Sequence, residues 1–331
     1  MASRARTSIA VMLTICFSLI ISIPIIILST TLSNYGIIDE SIQFSYNPTN
    51  SSIMKNLNIN TDLGEIEIGY VEAPIDYCVK LEVNIEMKGL GLSGKSYFDY
   101  FKIMWQNADG LVNFSMELKA GIDQVEVLSL IKNISITVIL KADLICDINV
   151  NVNIEGSIKI RVPYAVTTGE IFTTLSKGNI QYDFSYCNVQ GNVTGIVNSG
   201  EISFLTNHIQ YTKNSKLTFI NYFGYTSIEI LQNCEIGANI TGTALTKTGI
   251  VKIKYRDESP NVGARFTLYN KTTFGNEVET KWIGFNRTIL PFNAGQMFTS
   301  YDYPTQNNYN FTINKFYNWG EFMWDFYSVP I

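Results

Sequence analysis

The chain has one histidine, His208, set in Thr206-Asn-His-Ile-Gln210 with no nucleophile motif beside it. A Ser-His-Asp or Cys-His hydrolase needs a base within hydrogen-bond reach of its nucleophile, so His208 reads as a solvated corner residue. Two carboxylates, Glu170 and Glu201, each follow a glycine of a repeat and would stand on adjacent corners. Facing acids are what a retaining glycosidase uses, whereas scattered solvated carboxylates need no such role. There is no closely spaced His/Cys cluster, no Asp-x-Asp-x-Asp loop and no Gly-rich phosphate loop with a following lysine. The sequence therefore nominates no catalytic residue, no metal ligand and no cofactor, and the chain reads as a non-enzyme.

Cysteine is the remaining reactive type. Cys146, Cys187 and Cys234 share a frame, C-D-I-N-V-N-V-N, C-N-V-Q-G-N-V-T and C-E-I-G-A-N-I-T, each with Asn five residues later. Their separations of 41 and 47 residues are about two repeats each, which at about 4.8 Å per stacked strand puts their Cα atoms roughly 9.5 Å apart. That exceeds the reach of a disulfide, so three buried, unpaired thiols in equivalent positions are expected. The state of Cys78 stays open.

The elements that position these residues are strands. Gly156, Gly178, Gly200, Gly224 and Gly249 recur at gaps of 22, 22, 24 and 25 residues, and each opens a run of two-residue alternation. Of the fifteen residues two, four and six places beyond these glycines, thirteen are apolar, among them Ile180, Ile202 and Ile228. One face is buried and the other wet, and a fixed period implies similar strands stacked in register. A second ladder, Gly169, Gly191, Asn214 and Gly237, spaced 22, 23 and 23 residues apart, marks the other corner of each coil. Gly64, followed by Ile66, Ile68 and Tyr70, has the phase of an outlying rung. The expected fold is all-β, a β-solenoid of 22–25-residue coils in a parallel β-helix-like stack. An antiparallel β-sandwich remains the alternative, because alternation alone does not fix connectivity.

Residues 9–32 carry no charge, are dominated by Ile, Leu and Val, and contain Pro24. At about 1.5 Å per residue the run reaches roughly 36 Å, enough to cross a bilayer. Arg4 and Arg6 precede it and Asp39 and Glu40 follow it, an asymmetry that puts the N-terminus in the cytoplasm and the rest outside. A cleaved signal peptide competes, but its apolar core is usually shorter. The organisation expected is a cytoplasmic 1–8, a transmembrane 9–32, an N-terminal β region at 40–133, the solenoid at 134–285 and a C-terminal cap at 286–331. The cap follows from twelve aromatics between residues 298 and 327, a density that wants burial at the open end of a stack.

A net charge of −5 without a Lys/Arg-rich stripe excludes nucleic acid as a partner. Outward Lys159, Arg161, Lys252 and Lys254 support solubility. Eight Asn-x-Ser/Thr sequons, at Asn50, Asn113, Asn133, Asn192, Asn239, Asn270, Asn286 and Asn310, permit N-glycosylation on the outer side.

Gly169-Glu-Ile, Gly178-Asn-Ile, Gly191-Asn-Val and Gly200-Glu-Ile make a recurring Gly-[Glu/Asn]-Ile/Val corner. It resembles the candidate-adhesin β-solenoid family, defined as a domain of unknown function, over about 134–255. The resemblance implies a right-handed parallel stack, often carried on a membrane anchor, with an adhesive role and no transferable site residues. Three functions are thus expected to compete: a single-pass cell-surface structural or adhesive module, an envelope sensor or assembly partner binding through the aromatic C-terminal segment, and a carbohydrate-active β-helix enzyme. A surface glycan or envelope protein is the partner implied.

Overall fold

The computed structural model describes Ser22, residues 33–48, 54–72, 76–108, 110–212 and 214–232, and the strand backbones within 240–328. The 9–32 run, apart from Ser22, lies outside the described residues, as do Cys234 and Gly237. Among the described residues no helix is long and apolar enough to cross a membrane.

The fold is all-β. In chain order the strands are β1 (Tyr35–Tyr46), β2 (Asn56–Val71), β3 (Val79–Leu90), β4 (Phe101–Ala108) and β5 (Leu111–Leu118). A short helix α1 (Gln124–Leu130) leads into β6 (Ile131–Lys141), β7 (Asp147–Val162), β8 (Thr167–Thr168), β9 (Ile171–Ser185), β10 (Asn188–Val189), β11 (Val193–Asn207), β12 (Gln210–Tyr211) and β13 (Ser215–Gln232). Then come β14 (Ile240–Asp257), β15 (Gly263–Asn270), β16 (Glu279–Trp282), β17 (Met297–Thr299), β18 (Asn307–Lys315) and β19 (Phe322–Ser328). Two compact units interleave in sequence: 1–41 with 84–101 and 118–133, and 42–83 with 102–117 and 134–331.

The larger unit is dominated by one mixed sheet in which β2, β7, β9, β11, β13 and β14 follow one another, each parallel to the next. The antiparallel pairing left open by alternation is not adopted by these strands. Ile158, Ile180, Ile202 and Thr226 face one another across four of them, and Ile160, Tyr182, Phe204 and Ile228 form the next column. Tyr182, Phe184, Phe204 and Phe219 are fully buried and pack ring on ring at 4.9–6.0 Å, so the core is a continuous aromatic and aliphatic seam. The two-residue strands β8, β10 and β12 form their own parallel sheet, which marks the same corner on successive repeats. β2 joins the ladder at its outer end, with Gly64 opposite Gly156. At the far end β18 and β19 both run parallel to β14.

The glycines of the first ladder do not open the strands, as expected from alternation; they lie inside them. Gly64, Gly156, Gly178, Gly200, Gly224 and Gly249 are mutual partners across successive strands, and φ is 129° at Gly178, 143° at Gly200 and 147° at Gly224. Each strand is bent there, and the bends nest. A Cβ on Gly178 would sit 1.8 Å from the Gly156 carbonyl oxygen, and one on Gly200 1.8 Å from that of Gly178. The alternating pattern restarts after each glycine because the bend shifts which side faces in. Asn221, fully buried, holds one such bend by donating from Nδ2 to the carbonyls of Gly200 and Tyr225 at 3.0 and 2.9 Å.

The second ladder does lie at corners, but Gly169 and Gly191 are required by close approach rather than by backbone angle. A Cβ on Gly191 would meet the Glu170 backbone at 2.7 Å. The left-handed backbone is carried instead by Ala165, Tyr186 and His208, at φ of 60°, 52° and 55°. Repeat lengthening is also local. Val189 pairs with Tyr211 and Val193 with Leu217, so the two extra residues of that repeat fall between Tyr211 and Leu217, outside the paired strands.

In the smaller unit, Asp123 caps α1 by accepting from the Val125 amide at 2.8 Å, as short polar side chains do at helix starts. Ile38, Leu92, Tyr97, Val127 and Leu130 are buried there.

Gly178→Ala is expected to lower unfolding free energy by at least about 2 kcal/mol, because the new methyl meets backbone and φ is left-handed. Gly69→Ala, with open space around its Cβ position, should stay within about 0.5 kcal/mol of the parent in the same urea titration.

Candidate functional site

The most regular chemistry on the surface is an amide ladder across β5, β2, β7 and β9. Alternation sends Asn58, Asn60 and Asp62 outward from β2, and Asn149, Asn151 and Asn153 outward from β7. Parallel pairing then sets them side by side. Asn149 Nδ2 donates to Asn58 Oδ1 at 2.9 Å, and Asn58 Nδ2 to Asn113 Oδ1 at 2.8 Å. One step along, Asn151 Nδ2 donates to Asn60 Oδ1 at 2.8 Å, and Asn153 Nδ2 to Asp62 Oδ1 at 2.9 Å. Thr174 continues the second row by hydrogen bonding to Asn151. Each carboxamide thus spans the gap between strands, about 4.8 Å, while rows repeat about every 6.7 Å along a strand. The face is half-exposed, uncharged along most of its length and ordered by its own hydrogen bonds, a grid of donors and acceptors for a flat polar ligand. Sequence reasoning does not find it. Its one signal is the constant offset of 91 residues between Asn58 and Asn149 and between Asn60 and Asn151.

A cleft of about 270 Å³ opens farther along β2, beyond Gly64, lined by Glu67, Gly69, Tyr70, Thr137, Ile139, Arg161 and Pro163. Its cause is topological: β2 stays paired with β6 to Val71 but loses β7 after Ile160, and Gly69 contributes no side chain. The Arg161–Glu67 ion pair, 2.8 Å long with both side chains about half exposed, closes one rim; at that exposure it contributes little stability. The Tyr70 hydroxyl donates to Thr168 Oγ1 at 3.2 Å, and burial pushes its pKa well above the tyrosine range.

The cysteines are placed as unpaired, buried thiols at Cys78, Cys146 and Cys187. Cys146 and Cys187 are not equivalent, however. Cys187 precedes Asn188, the partner of Thr167 and Gln210, and is therefore level with Val166 and Ile209, whereas the Cys146 carbonyl accepts from Gly169. The Cys146 carbonyl therefore faces a level two residues beyond the one Cys187 faces, an offset that sequence spacing cannot resolve. Burial pushes both thiols from 9.0 up to about 12, so neither is a nucleophile at neutral pH.

His208 is at a corner, as expected, but it is not solvated. It is 9% exposed, its ring stacks on Tyr186 at 4.4 Å and 5°, and Nδ1 bonds the Asn207 side chain. Tyr164, 69% exposed, packs its ring 6.3 Å from Tyr186 on the same edge. Glu170 and Glu201 are not brought together. Glu170 immediately precedes Ile171, which pairs with Val193, while Glu201 lies beyond Gly200 on β11; the stretch from Val193 to Ser199 alone spans about 20 Å. That exceeds any glycosidase carboxylate separation. Of the sequons, Asn113 accepts within the amide ladder, Asn192 Oδ1 accepts from the Lys216 amide at 2.9 Å, and Asn133 is exposed. Asn270 and Asn310 lie on β15 and β18, and Asn50, Asn239 and Asn286 fall outside the described residues.

No family model matches the chain, and no curated protein matches it. Solved structures similar to it include a candidate cell adhesion protein from Clostridium sporogenes, at 10% identity over 87% of this chain and 99% of that one, with a TM-score of 0.37. A candidate adhesin from Bacteroides fragilis matches at 10% identity over 87% of this chain and 97% of that one, TM-score 0.33. One from Parabacteroides merdae matches at 10% identity over 67% and 90%, TM-score 0.28.

Asn151→Ala removes donors and acceptors from three neighbours and should cost about 1–2 kcal/mol in a urea melt. Because Cys146 and Cys187 keep their protons in the fold up to about 12, the unfolded chain binds fewer protons above pH 9. Stability is full below about pH 9 and falls as pH rises toward 12. Thermal melts should move down across that window, and the slope should shrink in the Cys146→Ala/Cys187→Ala double variant.

Proposed function

We propose that this chain is a single-pass, membrane-anchored β-solenoid displayed at the cell surface, acting as a structural or adhesive module through binding rather than catalysis. The observation that carries the reading is the in-register parallel ladder from β2 to β14, with its nested glycine bends and repeated short corner strands. Such a stack gives stiffness and a flat outer face from local contacts alone. The amide ladder supplies that face with fixed donors and acceptors, the chemistry that engages sugar hydroxyls, and a surface glycan is the ligand class it suits. The apolar run at residues 9–32, with arginines before it and acids after it, supports an anchor with the β domain outside. β18 and β19, paired along the β14 edge, support a C-terminal cap made from the aromatic segment.

The solenoid reading is tested by excising one coil. Deleting residues 179–200 joins Gly178 to Glu201 and restores the column, so the shortened protein should keep a cooperative thermal transition and a β-type circular dichroism spectrum. Deleting 179–189, half a coil, should abolish both; equal damage from the two deletions contradicts a repeat stack. For adhesion, vesicles carrying the full chain should attach to immobilised cell-surface polysaccharide more than empty vesicles. The Asn58→Ser/Asn60→Ser/Asn149→Ser/Asn151→Ser variant should lose that attachment while staying folded. Attachment no better than empty vesicles would remove the adhesive role.

A further inference from the structure

Of the twelve large apolar side chains exposed among the described residues, six lie in the smaller unit, although it is much the shorter of the two. Tyr35, Ile37, Leu90, Phe98, Val125 and Leu128 are 42%, 61%, 52%, 57%, 76% and 37% exposed, and all six belong to the segments 1–41, 84–101 and 118–133. These segments are held together by their own contacts. The Gly91 amide donates to the Asn34 carbonyl at 2.7 Å, and the Lys119 amide to the Tyr100 carbonyl at 2.9 Å. A Cβ on Gly89 would meet the Leu130 side chain at 2.4 Å, so α1 packs on the end of β3. Val125 and Leu128, three apart on α1, share one face, while Val127 and Leu130 turn inward. Phe98 projects from a 3-10 turn whose Tyr97 is buried. The fold therefore fixes these side chains outward rather than leaving them on loose ends.

We propose that the smaller unit is a membrane-contact platform, with Phe98, Val125 and Leu128 seated in the interfacial layer of the bilayer that holds the anchor. This rests on the anchor reading above. The occupant follows from chain length: the apolar run ends at residue 32 and β1 begins at Tyr35, so at most about 11 Å of chain separates the bilayer from the unit. An exposed apolar surface tethered that close to lipid meets lipid before any other partner. Charge decides how it binds. The three segments from residue 33 onward carry Lys88, Lys95, Lys119 and Lys132 against Asp39, Glu40, Glu86, Asp99, Asp123 and Glu126. Four cations against six carboxylates give no attraction to anionic headgroups, so contact is apolar and insensitive to salt. Tyr35, first residue of β1, stands where an aromatic marks the edge of a span.

The test uses the full chain in phosphatidylcholine vesicles, with Cys16 and Cys234 replaced by alanine and an environment-sensitive fluorophore on Phe98→Cys, Val125→Cys or Tyr164→Cys. Circular dichroism first confirms that each labelled variant folds. Labels at 98 and 125 should shift to the blue and be quenched by lipids carrying a nitroxide near the headgroup, equally at low and high salt, while the label at 164 should do neither. If the chain floats with the vesicles and resists carbonate extraction, yet all three labels respond alike, the platform is overturned and the anchor stands. If the chain does not float with the vesicles, the anchor reading fails and the platform with it.

Discussion

The structure depends on backbone touching backbone. At Gly156, Gly178 and Gly200 the carbonyl of one strand occupies the place where the next strand's side chain would begin, only 1.8 Å from where a Cβ on Gly178 or Gly200 would lie. Only glycine permits that approach, and at Gly178 and Gly200 only glycine takes the left-handed φ at low cost. Nesting locks register more firmly than side-chain alternation alone could. A slip by one residue would drive a Cβ into a carbonyl as well as turning the apolar face outward. With register fixed, every other regularity follows, because residues at one repeat position must stack on their counterparts.

Stacking has opposite consequences on the two faces. Inward it makes columns of Ile, Phe and Tyr whose rings interlock, and it can supply a buried polar group with partners. Tyr182 illustrates this. Its hydroxyl donates to the Thr194 carbonyl at 3.1 Å and bonds Thr173, and Gly195 leaves the room it needs. Outward, stacking turns isolated asparagines into a ladder in which neighbouring amides satisfy one another. That combination explains how a chain with few charged residues can expose broad sheet faces.

The period, the buried columns and the outlying rung at Gly64 were legible because glycine spacing and two-residue alternation report directly on parallel register. The role of the glycines was not, since a bend within a strand and a turn between strands leave the same mark. The left-handed corners at Ala165, Tyr186 and His208 carried no signal, because three unlike residues hold one backbone conformation that their tertiary neighbours enforce. The amide ladder was hidden for another reason. Its members Asn58 and Asn149 are 91 residues apart, joined only because the early β2 returns to pair with β7, and no local pattern announces a contact of that range. Nor could spacing separate Cys146 from Cys187, which sit two residues apart in the corner register.

Pulsed electron resonance distances measure the stack itself. Glu67, Lys159, Gln181, Ser203, Ser227 and Lys252 occupy one row on successive strands. From a spin label at Glu67, the distances to labels at Ser203, Ser227 and Lys252 should rise by about 4.8 Å per strand, to roughly 14, 19 and 24 Å. Distances that fail to increase in that order, or that jump by the width of a sheet sandwich, would contradict a single axis of stacked strands.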